Sequence, residues 1–319
     1  MKKAMIIFGF CIAAWGFVNT PIVKQYVAGL NHQALPAIKE TDSLYQSIKN
    51  NAPTYEKPPS DAKIDRVWKA IPGYNGIKVD IRASYKNMKK NGVFDEKKLV
   101  FTQIRPKVHL NDLPASPIYR GHPDKPMVSF IINVAWGNEY LSDMLATLKK
   151  HNVSASFFLE GNWVKKNPEL AKMIVSAGHE VGNHSYSHPD MAKLTAAHAR
   201  EQMVKTNEII EASTEKKCHL FAPPSGSYRD ETVKIADELK MKTIMWTVDT
   251  VDWKKPTPET LINRVMNKID NGVMILMHPT EPTAASLDRL ITLIKQKNYK
   301  IGTVSDLLKE ERIIINKTN

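Results

Sequence analysis

The chain has 319 residues, 42% hydrophobic and 24% charged, an ordinary globular composition that predicts one main domain with a smaller attachment. Its formal net charge of +12 suits anionic wall polymers or lipid headgroups as well as simple solubility, but the lysines lack interleaved aromatics and zinc-ligand spacing, which excludes a nucleic-acid module. With Cys11 inside an apolar N-terminal run, Cys218 stands alone, which excludes an intramolecular disulfide in the remainder.

Residues 1–20 open with the basic MKK and continue through an uncharged, mostly apolar stretch over residues 4–18, the pattern of a secretory signal peptide. The stretch is short of the roughly 20 apolar residues that span a bilayer, and the small-x-small cleavage site near Val18 to Thr20 is poorly formed, so a signal anchor is the alternative. Either form predicts an exported, extracytoplasmic protein, secreted or anchored at the cell wall, that meets a membrane only through this segment.

Residues 21–60 are polar and proline-bearing and read as a linker or stalk. Over residues 61–108 the patterns IDRVWKAI (helix), IKVDI (strand), ASYKNMKK (helix) and KLVFTQI (strand) predict a small α/β accessory module. A proline-rich linker over 109–125 closes it. From residue 126 to 310 seven apolar runs, MVSFIIN, SASFFLE, HEVGNHS, HLFAP, KTIMWTV, VMILMH and YKIGTV, alternate with helical patterns. Asn167-Pro168 and Thr257-Pro258 mark helix starts, and Gly178 and Gly272 mark helix ends. Repeated β-α units imply parallel strands with right-handed crossovers, and we expect an α/β fold: a distorted, incomplete (β/α) barrel of about seven parallel strands.

Active sites of such barrels lie at the C-terminal ends of the strands. Polar groups fall there repeatedly: Asn133 after the first strand, His184 and His188 after the third, Pro223 to Gly226 after the fourth, Asp249 to Trp253 after the fifth, and His278 after the sixth. In NHSYSHPD the two histidines are four apart, a spacing that can bring both rings to one metal. Two histidines so spaced are more often surface residues, and it is the third histidine at another strand end that adds weight.

ASFFLEGNWVKKNPELAKMIVSAGHEVGNHSYSHPDM, VDTVDW and LMH, in that order, resemble motifs of the polysaccharide deacetylases with a NodB-homology domain, metal-dependent esterases that remove N-acetyl groups from chitin or peptidoglycan sugars. The resemblance implies that His184 and His188 bind a divalent metal, usually zinc, and that His278 is the general acid for the leaving amine, tuned by Asp252. Trp253 and Leu276 would line the acetyl pocket beside Asp249, and the Ser225 N–H would help bind the oxyanion. The implied partner is an N-acetylated cell-wall polysaccharide. Such a donor pair is chemically apt, because an amide leaves as an amine only when protonated, and a carboxylate beside a histidine orients the ring and raises its pKa.

The chain departs from the family at two motifs. The family's Thr-Phe-Asp-Asp, whose aspartates are the base and a metal ligand, aligns here with Asn133 and Val134, and the arginine that holds the base aligns with Ala222. An arginine buried without its aspartate would cost several kcal/mol, so losing both together is a linked change. Glu139, in the same βα loop, is the candidate replacement carboxylate, with Asp190 and the Asn133 amide oxygen as alternatives. A charge at the start of the next helix equally explains Glu139. Trp136 reads as loop packing or as a ring that could stack on a sugar. The function that follows is a metal-dependent polysaccharide deacetylase with a rearranged first motif; the alternatives are an impaired deacetylase-fold protein that binds or scaffolds glycan, and a metal hydrolase using Glu139.

Overall fold

The computed structural model describes Thr20, Pro21, Val23 and residues 42–314. The signal-peptide segment, apart from Thr20, lies outside the described residues. Among the described residues no helix is long and apolar enough to cross a membrane. The chain divides into two units, residues 1–55 with 79–101, and residues 56–78 with 102–319.

In the smaller unit, helix α1 (Ser43–Tyr55) falls in the stretch read as a stalk, and Asp42 starts it by accepting from the Leu44 N–H. Leu44, Ile48 and Ala52 recur at helical spacing and are buried with Tyr85 and Met88 of α2 (Ile81–Met88). Tyr85 donates its hydroxyl to Asp42 at 2.8 Å.

The larger unit begins with a departure from the sequence reading. IDRVWKAI is not a helix but two antiparallel strands, β1 (Lys63–Asp65) and β2 (Lys69–Ile71). Asp65 explains it: its carboxylate accepts from the N–H groups of both Val67 and Trp68 at 2.8 Å, an Asx turn that diverts the backbone from helical bonding. The proline-rich 109–125 segment is docked on the main sheet, with Ile118 donating to Thr243 and accepting from Met245.

The main sheet is parallel, as expected. Its strands are β3 (Met127–Val134), β4 (Ser156–Leu159), β5 (Glu180–Asn183), β6 (Leu220–Phe221), β7 (Lys242–Thr243), β8 (Val248–Asp249), β9 (Met274–Met277) and β10 (Lys300–Gly302). The hydrogen-bonded order is β8-β9-β3-β4-β5-β6-β7, with β10 paired to the start of β3. This curled half-barrel is the distorted, incomplete barrel the sequence predicted. The run KTIMWTV, expected as one strand, is broken into β7 and β8, because Met245 bonds instead to Ile118 and Thr247 to Met274.

Helix α3 (Asn138–Lys150) follows β3, and α4 (Ala196–Thr214) and α5 (Glu281–Gln296) cover later strands. Alternation along β3 sets two environments. Val128, Phe130, Ile132 and Val134 enter the main core with Leu141, Met144 and Leu148 of α3, whereas Met127 and Ile131 enter a second cluster with Phe158, Leu276 and Ala222. The helix starting at Pro258 is capped as predicted, Thr257 accepting from Thr260; Asn167 precedes the one at Pro168 but uses its side chain elsewhere.

Candidate active site

A cavity of about 430 Å³ opens at the C-terminal ends of the strands, lined by Asn133, Trp136, His184, His188, Ser225, Trp246, Asp249, Trp253, Leu276 and His278. Apart from Glu139, Asp190 and Asp252, every residue assigned a role from the sequence borders it, and Asp252 sits directly behind His278. Strand register explains part of this. Met277 pairs with Ile132, so the following residues, His278 and Asn133, reach the same level.

The histidine loop is stapled to its surroundings. The Asn183 amide oxygen accepts from Ser185 N–H at 2.8 Å while its nitrogen reaches Asn207 and the Met203 carbonyl of α4. Gln202 of α4 accepts from the N–H groups of Tyr186 and Ser187 at 2.9 Å. His184 Nδ1 lies 2.7 Å from the Ala222 carbonyl, which can only accept, so Nδ1 carries the proton and Nε2 keeps its lone pair. Burial, then the neighbouring His188, pushes the His184 pKa down to about 3, and burial also lowers that of His188. The two rings meet edge-on with centroids 5.1 Å apart.

Opposite them stands a carboxylate–imidazole pair. Asp252, wholly buried, accepts from His278 Nδ1 at 2.8 Å through one oxygen, and from the His278 N–H and the Thr283 hydroxyl at 2.6 Å each through the other. Burial would raise the Asp252 pKa, but these hydrogen bonds and the imidazole together hold it below the usual carboxylate value. With Nδ1 committed to Asp252, His278 Nε2 is left for the cavity, the geometry of a positioned proton donor or acceptor.

Ser185 (φ 61°), His188 (φ 55°), Ser225 (φ 54°) and Val251 (φ 53°) all adopt left-handed backbone at these strand ends. For a β-branched valine this is a costly conformation, and such strain collects where a site is held in shape.

The residues that the sequence reading aligned with the family's other groups supply no carboxylate or guanidinium here. Asn133 is 3% exposed and its amide oxygen has no hydrogen-bond partner, and Ala222 supplies no donor. Val134, which the sequence reading aligned with the metal aspartate, is fully buried in the main core and does not border the cavity, so that placement is corrected: a side chain here faces away from His184 and His188. Glu139 does not take over: it is exposed in the first turn of α3 and lines a separate recess with Glu160, Asn162 and Lys166. Asp190 is occupied by Ser227 and Lys193. Among the described residues no group of three or more His, Cys, Asp or Glu side chains could hold a metal. A catalytic zinc site takes three protein ligands and an open position, so the donor set around His184 and His188 does not fit the family's metal centre.

Sequence reasoning missed Trp246, which has the look of a buried strand residue. It lies in the break between β7 and β8 and packs against Gly226, where an added Cβ would come within 2.7 Å of the indole. The loop before α3 is equally constrained. Gly137 has φ 82°, and a Cβ there would lie 1.9 Å from the Pro279 carbonyl oxygen. We expect Gly137→Ala to lower the unfolding free energy by at least about 1–3 kcal/mol in urea denaturation, and an unchanged midpoint would refute this packing.

A polysaccharide deacetylase family model matches residues 120–244. The Bacillus subtilis protein YlxY is 53% identical over 98% of this chain and 97% of its own length, and the B. subtilis peptidoglycan-N-acetylmuramic acid deacetylase PdaA is 30% identical over 61% of this chain and 76% of its own. Among solved structures, the CE4 family pseudoenzyme BA3943 of Bacillus anthracis superposes with a TM-score of 0.84 at 56% identity, covering 86% of this chain and 98% of that one. A mutant of that pseudoenzyme with restored enzymatic activity superposes with a TM-score of 0.83. Enzymes of this family are generally metal-dependent. By this match and these relatives, the present chain belongs to the polysaccharide deacetylase family as a divergent member.

Proposed function

We propose that this chain binds N-acetylated peptidoglycan glycan in the cavity at the strand ends and that, with the residues it now carries, it is impaired in hydrolysing it. One observation carries this reading: among the described residues no third His, Cys, Asp or Glu joins the His184–His188 pair in a group that could hold a metal. Asn133 supports it further, since an amide cannot accept a proton as a carboxylate base does. The substrate class comes from the peptidoglycan deacetylases to which the chain is similar. The same relatives support a location outside the cytoplasm at the cell wall, in keeping with the leader pattern of residues 1–20. Leu276 and Trp253 would receive the acetyl methyl and Ser225 the carbonyl oxygen.

A second reading, turnover as a polysaccharide deacetylase, is favoured by the Asp252–His278 pair, which glycan binding alone does not require. In that reading His278 protonates the leaving amine. Calorimetric titration of chitotetraose, run beside an acetate assay on the same sugar and on peptidoglycan, separates the two. We expect saturable binding with no acetate released. Acetate released at a catalytic rate would establish the second reading, and absence of binding would defeat both.

A further inference from the structure

We propose that Trp136 is a specificity-determining residue of this cavity, its free indole face forming a platform on which a pyranose ring of the bound glycan stacks; this rests on the glycan-binding reading above. Trp136 is 45% exposed and Trp253 is 54% exposed, and these are the exposed aromatic side chains among the described residues. Both border the same cavity. An exposed indole gives up the favourable burial of a large apolar surface, so two of them at one opening mark a place where an apolar face is to be covered. A β-linked hexosamine offers such a face: its ring C–H groups form a flat apolar surface, with the hydroxyls directed outward in the ring plane.

The indole is held still. One face stacks on the His278 ring with centroids 5.2 Å apart and 18° between the planes, which leaves the opposite face as the accessible one. The loop is fastened on its far side as well. Gly137 fits against the Pro279 carbonyl only because it has no side chain. Asn138 accepts from the Trp163 indole N–H at 2.6 Å and donates to Asn167 at 2.9 Å, so the chain leaving the ring is committed. A platform fixed before the ligand arrives loses little conformational freedom on binding. Because one face rests on His278, the indole stands between the imidazole and the stacked sugar, while the Leu276 wall and the polar Asp249 and Ser225 border the same cavity.

The test is chitotetraose titration, followed by tryptophan fluorescence and calorimetry, of the wild-type chain, Trp136→Ala and Trp136→Phe, with thermal unfolding of each. We expect Trp136→Ala to weaken binding about tenfold with an unchanged unfolding midpoint, and Trp136→Phe to recover most of the affinity, because a smaller ring still presents a flat face. If Trp136→Ala binds like wild type, the platform is wrong while the glycan-binding reading stands. Loss of binding in both variants together with a lowered unfolding midpoint would make Trp136 a packing residue and overturn the proposal. If the wild-type chain does not bind the sugar, the proposal and the reading beneath it fall together.

Discussion

The double variant Asn133→Asp/Ala222→Arg is expected to bind a divalent metal more tightly than the wild-type chain. Asn133→Asp puts a carboxylate in the cavity that Asn133 shares with His184 and His188, where an amide now stands with an unpartnered oxygen, and so offers the two histidines a third donor. Ala222→Arg supplies a donor where the methyl group offers none. Without that donor, the new carboxylate, at a site 3% exposed, would be a buried, unpaired charge costing several kcal/mol. Val134 is no route to a third ligand, because its side chain enters the core and not the cavity.

Asn133→Asp alone is therefore expected to fold less stably than the double variant. Val134→Asp places a carboxylate in the main core, at a cost of several kcal/mol that zinc does not offset. A rise in the unfolding temperature of the double variant on adding zinc, larger than in wild type, would show the metal site forming. A double variant with no gain in metal affinity would show that a third donor is not what this site lacks.

Acid should unfold the protein well above the range in which carboxylates titrate. His122, His179 and His184 are all buried. Burial pushes the first two down to about 4, and burial with the neighbouring His188 pushes the third down to about 3. Hydrogen bonding reinforces this, because His122 Nδ1 accepts from the Asp124 N–H and His179 Nδ1 accepts from the Ala155 N–H, roles that protonation at Nδ1 removes.

In the unfolded chain these rings take protons near pH 6.5. Between that value and about 4 the unfolded state binds protons that the folded state refuses, so stability rises with pH across this window and falls as pH drops through it. Each ring adds up to about 1.4 kcal/mol per pH unit to the slope. Asp252, whose pKa is held low, acts further down: its contribution is present above the unfolded carboxylate value and is lost as pH falls through its folded value. Urea midpoints should be flat between about pH 7 and 8 and fall steeply from about 6.5 to 4.5, and His179→Gln should flatten that fall. A wild-type profile level down to about pH 4.5 would contradict the burial of neutral rings.

The parts of the molecule legible in the sequence are those with a periodic or chemically singular signal. Alternating apolar runs and helical patterns point to the parallel half-barrel, and the histidines at strand ends, with the Asp-Trp and Leu-Met-His stretches, converge as expected on one cavity. What escapes depends on local geometry that periodicity does not encode. Apolar spacing makes IDRVWKAI look helical, while one carboxylate, Asp65, caps a turn inside it. KTIMWTV has the composition of a strand, yet its middle bonds to a segment more than a hundred residues away.

Glu139 does not border the cavity, although its recess shares Trp136 with it. The left-handed Gly137 starts α3 so early that the carboxylate lands on an exposed first turn beside a different recess. Val134 is the more decodable case. Alternation along β3 puts it in phase with Phe130 and Ile132 in the core, while Asn133 continues the inward row of Ile131, so the two neighbours face different environments.

The measurement that bears most directly on this account is a zinc titration of the wild-type chain by calorimetry, with the metal content of the purified protein determined alongside. With only His184 and His188 as donors, the account predicts substoichiometric metal as purified and weak, easily chelated binding on titration. One tightly held metal per wild-type chain, with a third protein ligand in its coordination spectrum, would contradict it.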